Sequence, residues 1–343
     1  PAEGWKEVPR QKTHSKHKGA FVTLAREDFD AGPTNLDRIE EGLWLGNLTA
    51  ATNVEVLQSH RIDHIVTVDS CPLPKKITML PGVNTMYIQV TDLPREDLLT
   101  YFEETFEFIK EGQAKGVVLV HCYFGVSRSA TIVIAYVMKK YQLSFADAFE
   151  RVKAQRQYVG PNPGFQSQLR LYHGMGWRLD RANLQFRMFR LQVAADYVKK
   201  AKILPQNCMD VVRPDPSLIT VRPDPLVYRC RKCRRILASA SNLLPHRPKE
   251  RPLWADESWS VPGPTDQAVC AQTHFVEPIA WMQPVYQSLQ GKLQCPTCRS
   301  KLGSFSWVMG CQCPCGSRIS PAFYLVPSKV EWSNFVQNVQ VTV

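Results

Sequence analysis

A short stretch of the chain, VLVHCYFGVSRSAT at residues 118–131, combines a cysteine, a glycine, two serines and an arginine between two apolar segments. Cys122 follows the first segment, and Arg128 stands where the second begins. Backbone N–H groups of such a loop, and of the first turn of a following helix, point inward and form a cradle for an anion. The same field favours the thiolate form of Cys122, a good nucleophile. The planar fork of Arg128 fits two oxygens of a phosphoryl group, so the stretch predicts phosphoryl chemistry.

The loop after Cys122 is expected to surround the phosphate. Gly125 permits the tight backbone path, while Ser127 and Ser129 offer hydroxyls to the loop or to the sulfur. The predicted phosphate-binding residues are Tyr123, Phe124, Gly125, Val126, Ser127 and Arg128.

Cleavage of a P–O bond also needs an acid that protonates the leaving oxygen. Asp92 follows a predicted strand and should lie at the same edge of the sheet as Cys122, where α/β folds collect their ligand groups. Asp97 and Glu96 are weaker candidates because each stands at the start of a predicted helix, where a carboxylate serves the first turn. The sequence therefore predicts Asp92 as the general acid.

Alternating strands and helices must position these residues. Residues 116–121 form a continuous apolar run, typical of a strand buried on both faces of a parallel sheet, and residues 97–112 have apolar residues at helical spacing. Further strands are predicted at 42–47, 64–70 and 85–90, and further helices at 53–60, 129–140, 144–155, 163–173 and 182–201. This order predicts an α/β fold with a central, mostly parallel sheet flanked by helices.

The length of 343 residues suggests two domains. The tetrapeptide RPDP occurs at 213–216 and at 222–225, inside a proline-rich segment typical of a linker. We predict a basic flexible tail at 1–35, a catalytic domain at 36–180, a helix and linker at 181–226, and a β-rich, cysteine-rich domain at 227–343.

The cysteine-rich end contains two C-x2-C motifs, in YRCRKC and LQCPTC, and a further cluster in GCQCPCG. Two thiolates from one tight turn fill half of a tetrahedral zinc site, and a distant pair completes it. The predicted ligands of two structural zinc ions are Cys230, Cys233, His246, Cys270, Cys295, Cys298, Cys313 and Cys315.

The spacing leaves open which ligands share an ion. We favour one set of Cys230, Cys233, Cys295 and Cys298 and another of His246, Cys270, Cys313 and Cys315, but a sequential division into the first four and the last four also fits. Cys311 is a spare thiol that could replace Cys313, and His274 competes with His246. Cys208 lies in the linker without a neighbouring partner.

Composition indicates the cellular compartment of the protein and whether it spans a membrane. The most apolar window contains His121 and Arg128, whose burial in a bilayer is costly, so no membrane span is predicted. The amino-terminal residues are polar and basic, unlike a secretory signal. Eleven cysteines in such a chain indicate a reducing compartment, which predicts the cytoplasm and nucleus.

Positive charge is concentrated in the second half of the chain. Residues 1–198 have a formal net charge of +2, and residues 199–343 have one of +9. Such an excess favours an acidic partner, such as nucleic acid or a ribonucleoprotein, although a charged soluble surface also explains it.

The segment VHCYFGVSRSA resembles the HCxxGxSRS signature of the cysteine-dependent dual-specificity protein phosphatases, and the similarity extends through GLWLGN, Asp92 and QYVGPNPGFQSQL. The resemblance implies a cysteine-phosphatase fold over residues 36–175. It also implies that Cys122 forms a phosphocysteine, that Arg128 clamps the phosphate, and that Asp92 acts as general acid and later as general base. Sulfur transfer, arsenate reduction and removal of RNA 5′-phosphates also use a C-x5-R loop, but Asp92 and the SRS ending favour a protein phosphatase.

The same resemblance implies supporting roles near the loop. Ser129 would help the thiolate leave, His121 would hold the loop and tune the sulfur, and Asn162 would brace the loop. Phe124 departs from the family, which usually has Ala there, and we expect this to alter the surroundings of the loop rather than the activity.

The phrases YRCRKCRR, HFVEPIAWM and CPTCRSKLGSFSW are similar to eukaryotic dual-specificity phosphatases that carry a carboxy-terminal zinc-binding domain. This resemblance implies phosphoprotein substrates, no cofactor for catalysis, and a zinc domain that contributes to assembly of the large ribosomal subunit. Alternatively, the protein is mainly a ribonucleoprotein-binding assembly factor with dispensable phosphatase activity. We expect a monomer.

Cys71 ends the run IVTVDSC and raises a separate hypothesis. If its strand lies beside the strand of Cys122, Cys71 could resolve an oxidised Cys122 by forming a disulfide. An ordinary free thiol is the simpler interpretation, because the sequence gives no distance between the two sulfurs.

Overall fold

The structure, a computed structural model, describes residues 31–219, 221–248 and 269–334. Most of the predicted tail and parts of the predicted cysteine-rich domain lie outside these residues. Within them, no helix is both long enough and apolar enough to cross a membrane.

The first part of the chain forms five strands and eight helices among the described residues. The strands are β1 (Leu36–Glu40), β2 (Leu43–Gly46), β3 (Ile62–Asp69), β4 (Asn84–Gln89) and β5 (Val117–His121). The helices are α1 (Leu48–Ala51), α2 (Val54–Ser59), α3 (Lys75–Thr78), α4 (Phe102–Lys115), α5 (Arg128–Tyr141), α6 (Phe145–Gln155), α7 (Pro163–Gly174) and α8 (Leu184–Ala201). A 3-10 turn, Leu99–Tyr101, precedes α4.

The five strands form one sheet in the order β1-β2-β5-β3-β4. The β1–β2 pair is antiparallel, whereas β2–β5, β5–β3 and β3–β4 are parallel. The predicted α/β fold with a mostly parallel central sheet is therefore confirmed. The antiparallel edge strand β1 was not predicted, since only Ile39 of its sequence LDRIE is buried.

Strand β5 is covered on both faces because its successive side chains alternate between two hydrophobic cores. Val118 and Val120 pack in the larger core with helices α4 to α7. Leu119 packs in a smaller core with Leu57 and Ile77 from the helices of the opposite face. The sheet thus delivers the residue after β5, Cys122, to its carboxyl edge, at the end of the central strand.

The second part of the chain is rich in short strands. These are β6 (Leu226–Cys230), β7 (Ile236–Ser239), β8 (His274–Phe275), β9 (Gln290–Gln294), β10 (Lys301–Ser306), β11 (Cys311–Gln312), β12 (Arg318–Ile319), β13 (Ala322–Leu325) and β14 (Val330–Asn334). They form three sheets, ordered β8-β13-β10-β9, β14-β6-β7 and β11-β12. Short 3-10 turns connect them at Ala240–Asn242, Gln283–Tyr286 and Pro327–Lys329.

Helix α8 contacts both hydrophobic cores. Phe186, Phe189 and Val193 pack in the core of the first sheet. Met188, Leu191, Ala194, Ala195 and Val198 pack in the core of the second part of the chain. Helix α8 is apolar on more than one side because one side packs against the first core and another side packs against the second core.

The proline-rich segment predicted to be a linker also packs against the second core. It forms 3-10 turns at Gln206–Val211 and Pro216–Leu218, and Cys208 is fully buried. The backbone of Arg213 bonds to Pro278 and Ala280, at 2.8 and 2.9 Å. The first RPDP tetrapeptide, residues 213–216, therefore lies in a packed segment, whereas the second, residues 222–225, is exposed or half-buried.

Candidate active site and metal centres

Cys122 lies directly after β5, and its neighbour His121 anchors the strand end. The His121 ring is fully buried, and its Nε2 lies 2.8 Å from the hydroxyl of Thr67 on β3. The other ring nitrogen, Nδ1, lies 3.3 Å from the backbone oxygen of Cys122. The His121 ring is thus fixed on both sides, which supports its predicted role of holding the loop.

Within the described part of the chain, two hydrogen-bond donors reach the sulfur of Cys122. The backbone N–H of Gly125 donates to Sγ over 3.2 Å, and the hydroxyl of Ser129 donates over 3.1 Å. Helix α5 begins at Arg128, so the positive end of its dipole adjoins the loop. These donors stabilise negative charge on the sulfur or on a group bound to it.

The tight path of the loop requires glycine at position 125. Gly125 has a φ of +70°, and a Cβ there would lie 2.4 Å from the backbone oxygen of Gly46. Arg156 lines the outside of the same turn, where Nε donates to the Gly125 oxygen over 2.9 Å and Nη2 donates to the Phe124 oxygen over 3.3 Å. Arg156 in turn pairs with Asp37 over 2.6 Å.

Arg128 is buried and already oriented by protein groups. Its Nη1 donates to Asp69 over 2.9 Å and to the Val90 oxygen over 3.2 Å. Its Nε is buried and has no hydrogen-bond partner among the described residues. Arg128 thus keeps a donor for an additional acceptor such as a phosphate oxygen.

Asp92 is brought to the same loop. Its Oδ1 accepts from the hydroxyl of Ser127 over 2.7 Å and from the side-chain amide of Asn162 over 2.8 Å. The backbone N–H of Asn162 donates to the same Ser127 hydroxyl over 3.1 Å. The carboxyl group of Asp92, on an exposed residue, is therefore tied to the phosphate loop.

The two weaker acid candidates have structural partners instead. Asp97 accepts from the backbone N–H and the hydroxyl of Thr100, over 3.1 and 2.9 Å, and pairs with Arg190 over 2.7 Å. Burial raises the pKa of Asp97, and the neighbouring Arg190 opposes that rise. Glu96 accepts from the hydroxyl of Thr91 over 2.9 Å.

Phe124 and Tyr123 contribute backbone and surface to the loop. The Phe124 side chain is 58 % exposed, and its ring meets that of Tyr123 edge to face with centroids 4.9 Å apart. The Tyr123 oxygen accepts from the backbone N–H of Leu48 over 3.1 Å. Val126 accepts from Gly160 over 2.8 Å, which links the loop to the segment before α7.

Asp69, Arg156 and Thr67 were not predicted as site residues. A signal for Arg156 was its place in KAQRQYVGPNPGF, beside the segment that carries the family resemblance. Asp69 ends the strand run IVTVDS, at the same sheet edge as Cys122. A charged residue at that position of a buried strand was a usable sign of a buried ion pair.

Among the residues that the structure describes, the cysteine-rich end forms two clusters of candidate metal ligands. One comprises Cys230, Cys233, Cys295 and Cys298, and the other comprises His246, Cys270, Cys313 and Cys315. Within each cluster the ligand atoms all lie within 4.8 Å of one another. The geometry brings together the pairing that we favoured and separates the members of the sequential one.

The donor atoms fit a tetrahedral zinc ion. Zn–S bonds of about 2.3 Å place two sulfurs about 3.8 Å apart. The observed S···S distances are 3.7 Å for Cys230 and Cys298, 3.5 Å for Cys233 and Cys295, and 3.8 Å for Cys270 and Cys313. Nε2 of His246 lies 3.4 Å from the sulfur of Cys315.

The two C-x2-C motifs of the first cluster form matching turns. Arg234 donates its backbone N–H to the Cys230 oxygen over 2.8 Å, and Arg299 donates likewise to the Cys295 oxygen over 3.0 Å. Both arginines have a positive φ, of 69° and 62°. Two equivalent turns thus present their thiols to one point.

Hydrogen bonds lower the pKa of several thiols in the clusters, most strongly those of Cys298 and Cys315. Hydrogen bonds from Ser300 lower the pKa of Cys298 to about 6. Burial acts to raise the pKa of Cys315, but hydrogen bonds from Ser317 outweigh it and lower the pKa to about 6. An ionised thiol is the form that binds a metal cation.

The remaining candidate residues lie outside these clusters. Burial raises the pKa of the half-buried Cys311 thiol and of the Cys208 thiol. Burial lowers the pKa of His274, whose ring packs on Tyr228 with centroids 5.2 Å apart. Cys71 is a half-buried free thiol two residues beyond β3, so its disulfide with Cys122 stays a prediction.

Comparison with known proteins identifies the family. A model of the dual specificity phosphatase catalytic domain matches residues 43–175. The chain is also 46 % identical to dual specificity protein phosphatase MPK-4 of Drosophila melanogaster, over 93 % of this chain and 93 % of that protein. The chain belongs to the dual specificity protein phosphatase family.

Other members of the dual specificity phosphatase family match over most of the chain. Dual specificity protein phosphatase 12 of Mus musculus is 34 % identical over 85 % of this chain and 87 % of that protein. Among solved structures, the Yvh1 phosphatase domain from Chaetomium thermophilum is 32 % identical, covering 43 % of this chain and 99 % of that one, with a TM-score of 0.40. The predicted resemblance and the cysteine-phosphatase fold are confirmed, and the chain is a protein phosphatase.

Proposed function

We propose that this phosphatase hydrolyses phosphotyrosine and phosphoserine or phosphothreonine in proteins through a phosphocysteine on Cys122. The observation that carries the proposal is the pair of donors on the Cys122 sulfur, Gly125 N–H and the Ser129 hydroxyl, at the amino terminus of α5. Asp92 is tied to the same loop through Ser127. Nucleophile, anion cradle and acid are therefore adjacent.

The reaction proceeds in two displacements at phosphorus. The Cys122 thiolate attacks the phosphorus, a P–S bond forms, the P–O bond to the substrate breaks, and Asp92 gives its proton to the leaving oxygen. Water then attacks the phosphocysteine while Asp92 takes a proton from the attacking water. The P–S bond breaks, inorganic phosphate leaves, and the thiolate is restored with the help of the Ser129 hydroxyl.

Arg128 binds the phosphoryl group in both steps. Its Nη1 is held by Asp69 and Val90, which fixes the plane of the guanidinium. The buried Nε, without a hydrogen-bond partner among the described residues, is available to a phosphoryl oxygen. A planar donor fixed in advance stabilises the charge that develops in the transition state without rearranging.

The open rim of the loop supports both substrate classes. Asp92 is exposed, and Phe124 stands 58 % exposed beside the loop rather than closing it. We propose that this exposed rim admits the short side chains of phosphoserine and phosphothreonine as well as the longer phosphotyrosine.

Substitution of Cys122 tests the enzyme mechanism. Cys122→Ser should abolish turnover of an aryl phosphate, while Cys71→Ser, a change at another free thiol, should retain it. Circular dichroism of both variants checks that they fold. Retained turnover in a folded Cys122→Ser protein would contradict the mechanism.

We further propose that the two ligand clusters hold structural zinc, one ion in each, and that catalysis itself needs no cofactor. When bound, zinc would tie the turns of Cys230 and Cys295 together, as thiolate-bound zinc does in small β-rich domains. The chain's own residues already bring the ligands within 4.8 Å of one another.

A second function is favoured by charge at the first cluster. Five exposed basic residues flank the two C-x2-C turns and form a basic rim: Arg231, Lys232, Arg234, Arg299 and Lys301. Arg234 is paired with Glu331, and the other four supply the excess positive charge. We propose that this rim binds an acidic ribonucleoprotein, namely a precursor of the large ribosomal subunit, in the cytoplasm and nucleus, with the protein acting as a monomer. The net charge of +9 over residues 199–343 supports an acidic partner.

Charge reversal tests the basic rim. The double variant Arg231→Glu, Lys232→Glu should lose co-sedimentation with large-subunit precursors, because both side chains are exposed and each change removes one cationic contact. The double variant Lys110→Glu, Lys115→Glu makes the same charge change on α4 and should still co-sediment with the precursors. Equal behaviour of the two variants would remove the rim from the interaction.

Complementation decides which function the cell needs. If Cys122→Ser rescues loss of the protein and Cys230→Ser does not, the zinc-binding part carries the main role and phosphatase activity is dispensable. The opposite result would make the enzyme the essential part.

A further inference from the structure

The loop that carries Asp92 is attached to helix α8 at two points. We call residues 91–97 the acid loop. Arg95 of this loop donates to Asp196 of α8 over 2.9 Å, and Asp97 accepts from Arg190 of α8 over 2.7 Å. The middle and the carboxy-terminal end of the segment after Asp92 are therefore held by the same helix.

The attachment through Arg190 is a buried ion network. The Arg190 and Asp97 side chains are only 11 % and 8 % exposed. The same guanidinium donates from Nε and Nη2 to the two carboxylate oxygens of Asp210, each over 2.9 Å, and from Nη2 to the Asn207 oxygen over 3.1 Å. Because a buried pair is costly to break on one side only, Arg190 fixes the place of Asp97.

Helix α7 closes the inner side of the acid loop. A Cβ on Gly164 would lie 1.8 Å from the backbone oxygen of Pro94, so the loop is in direct contact with the first turn of α7. Gln168 accepts from the N–H groups of Leu98 and Leu99, each over 2.9 Å, and donates to the Glu96 oxygen over 2.7 Å. The acid loop is thus held between α7 and α8.

Helix α8 is itself held by the second part of the chain. Its residues Met188, Leu191 and Val198 are buried in the second core. Arg187 of α8 lies 3.5 Å from the carboxylate of Glu277, which belongs to the segment after β8. The second core and Glu277 therefore contribute, together with the first core, to holding α8 beside the acid loop.

We propose that Arg190 and Asp196 of α8 are positioning residues for the general acid, so that the zinc-binding part sets the alignment of Asp92 from outside the catalytic domain. This inference rests on the proposed role of Asp92. A general acid must stay within hydrogen-bond reach of the leaving oxygen, and a displacement of about 1 Å costs about a hundredfold in rate. Loss of an α8 contact should therefore weaken proton donation while leaving Cys122 and Arg128 in place.

The test compares two leaving groups. Phenyl phosphate has a poor leaving group that needs a proton, whereas 2,4-dinitrophenyl phosphate has a good one that leaves without it. Arg190→Gln should lower kcat/KM about tenfold for phenyl phosphate and leave it within about twofold for the dinitrophenyl ester. Lys200→Gln, on an exposed residue of the same helix, should change neither.

A merely structural role of Arg190 would lower kcat/KM equally for both substrates, because less protein would be folded. That outcome overturns the proposal, as does unchanged activity on both. Should Arg190→Gln not fold, Arg95→Gln removes the second contact at a side chain that is 71 % exposed, and it is expected to show the same selective loss.

Asp92→Asn separates this inference from the function on which it rests. The proposed function expects a selective loss on phenyl phosphate in Asp92→Asn. If Asp92→Asn shows no such selectivity, the assignment of the acid fails. If Asp92→Asn shows the selective loss on phenyl phosphate but neither Arg190→Gln nor Arg95→Gln shows it, only the positioning by α8 fails.

Discussion

Arg128 and Asp69 form a buried ion pair of 2.9 Å beside the phosphate loop, with side chains only 9 % and 4 % exposed. Asp69 ends β3, whose register places Thr67 opposite His121, so the pair lies at the sheet edge where Cys122 begins the loop. The guanidinium is therefore fixed by a strand end rather than by the loop itself. This contact determines which donors of Arg128 remain for substrate.

Asp69→Asn should weaken phosphate binding. The neutral amide holds Nη1 less firmly, so the guanidinium loses its fixed plane, and a hydrogen bond to a charged group contributes about 1.5–3 kcal/mol. We expect kcat/KM to fall about tenfold or more and inhibition by vanadate to weaken in parallel. Glu107→Gln, at an exposed carboxylate of α4, is the control. Unaltered vanadate inhibition in Asp69→Asn would contradict the role given to this pair.

Ser129→Ala should slow the second step more than the first. The hydroxyl donates to the Cys122 sulfur over 3.1 Å and stabilises the thiolate that leaves when the phosphocysteine breaks down. We expect kcat to fall about tenfold, kcat/KM to change little, and a burst of aryl alcohol to appear in stopped-flow traces. A drop in kcat/KM as large as that in kcat, without a burst, would assign the hydroxyl to another step.

Metal content should distinguish the two pairings of the cysteine clusters. The double variant Cys230→Ser, Cys298→Ser removes two ligands of a single cluster, so the purified protein should retain one zinc ion per chain. The sequential pairing expects both sites to be damaged. Cys311→Ser, outside both clusters, should keep two ions by atomic absorption. Loss of all zinc from the double variant would count against the observed grouping.

Glu277→Gln should change how stability depends on pH. Burial raises the pKa of Glu277 to about 7, although Arg187 and Arg213 oppose the rise. The contribution of this group to stability is therefore present below its unfolded pKa of about 4.5 and is lost as pH rises through 7. Relative to the native chain, the variant should gain stability between pH 5 and 8, by about 3 kcal/mol. Denaturant midpoints measured over that pH range check this. If the midpoints of the two proteins change with pH by the same amount, Glu277 is not buried as described.

The phosphate loop was predictable because its chemistry is local. Cys122, Gly125, Ser129 and Arg128 lie within eight positions, and the strand and helix that flank them are set by apolar runs. Backbone geometry then brings the N–H of Gly125 to the sulfur without help from distant residues.

The groups that hold the loop were not predictable in the same way. Asp69 lies 59 positions before Arg128, and Asp37 lies 119 positions before Arg156. The place of Asp69 at the end of a buried strand hints at an ion pair, but the sequence does not name its partner, because the packing of strands and helices brings the two charges together. The choice between the two zinc pairings depended on tertiary placement in the same way.

Helix α8 shows how a second core alters a sequence pattern. Its apolar residues surround much of the helix, and the sequence indicated only a helix beside a linker. Phe186 and Met188 point to different cores two residues apart, which a single amphipathic pattern does not describe. The apolar residues of α8 are explained only once both cores are seen.

The phosphocysteine itself provides the most direct measurement. Rapid acid quenching of the enzyme with a ³²P-labelled aryl phosphate, followed by peptide mapping at low pH, should find the label on the peptide that contains Cys122. The label should be absent from Cys122→Ser. A turning-over enzyme that carries the label on another residue, or one that shows none at any quench time, would contradict catalysis through Cys122.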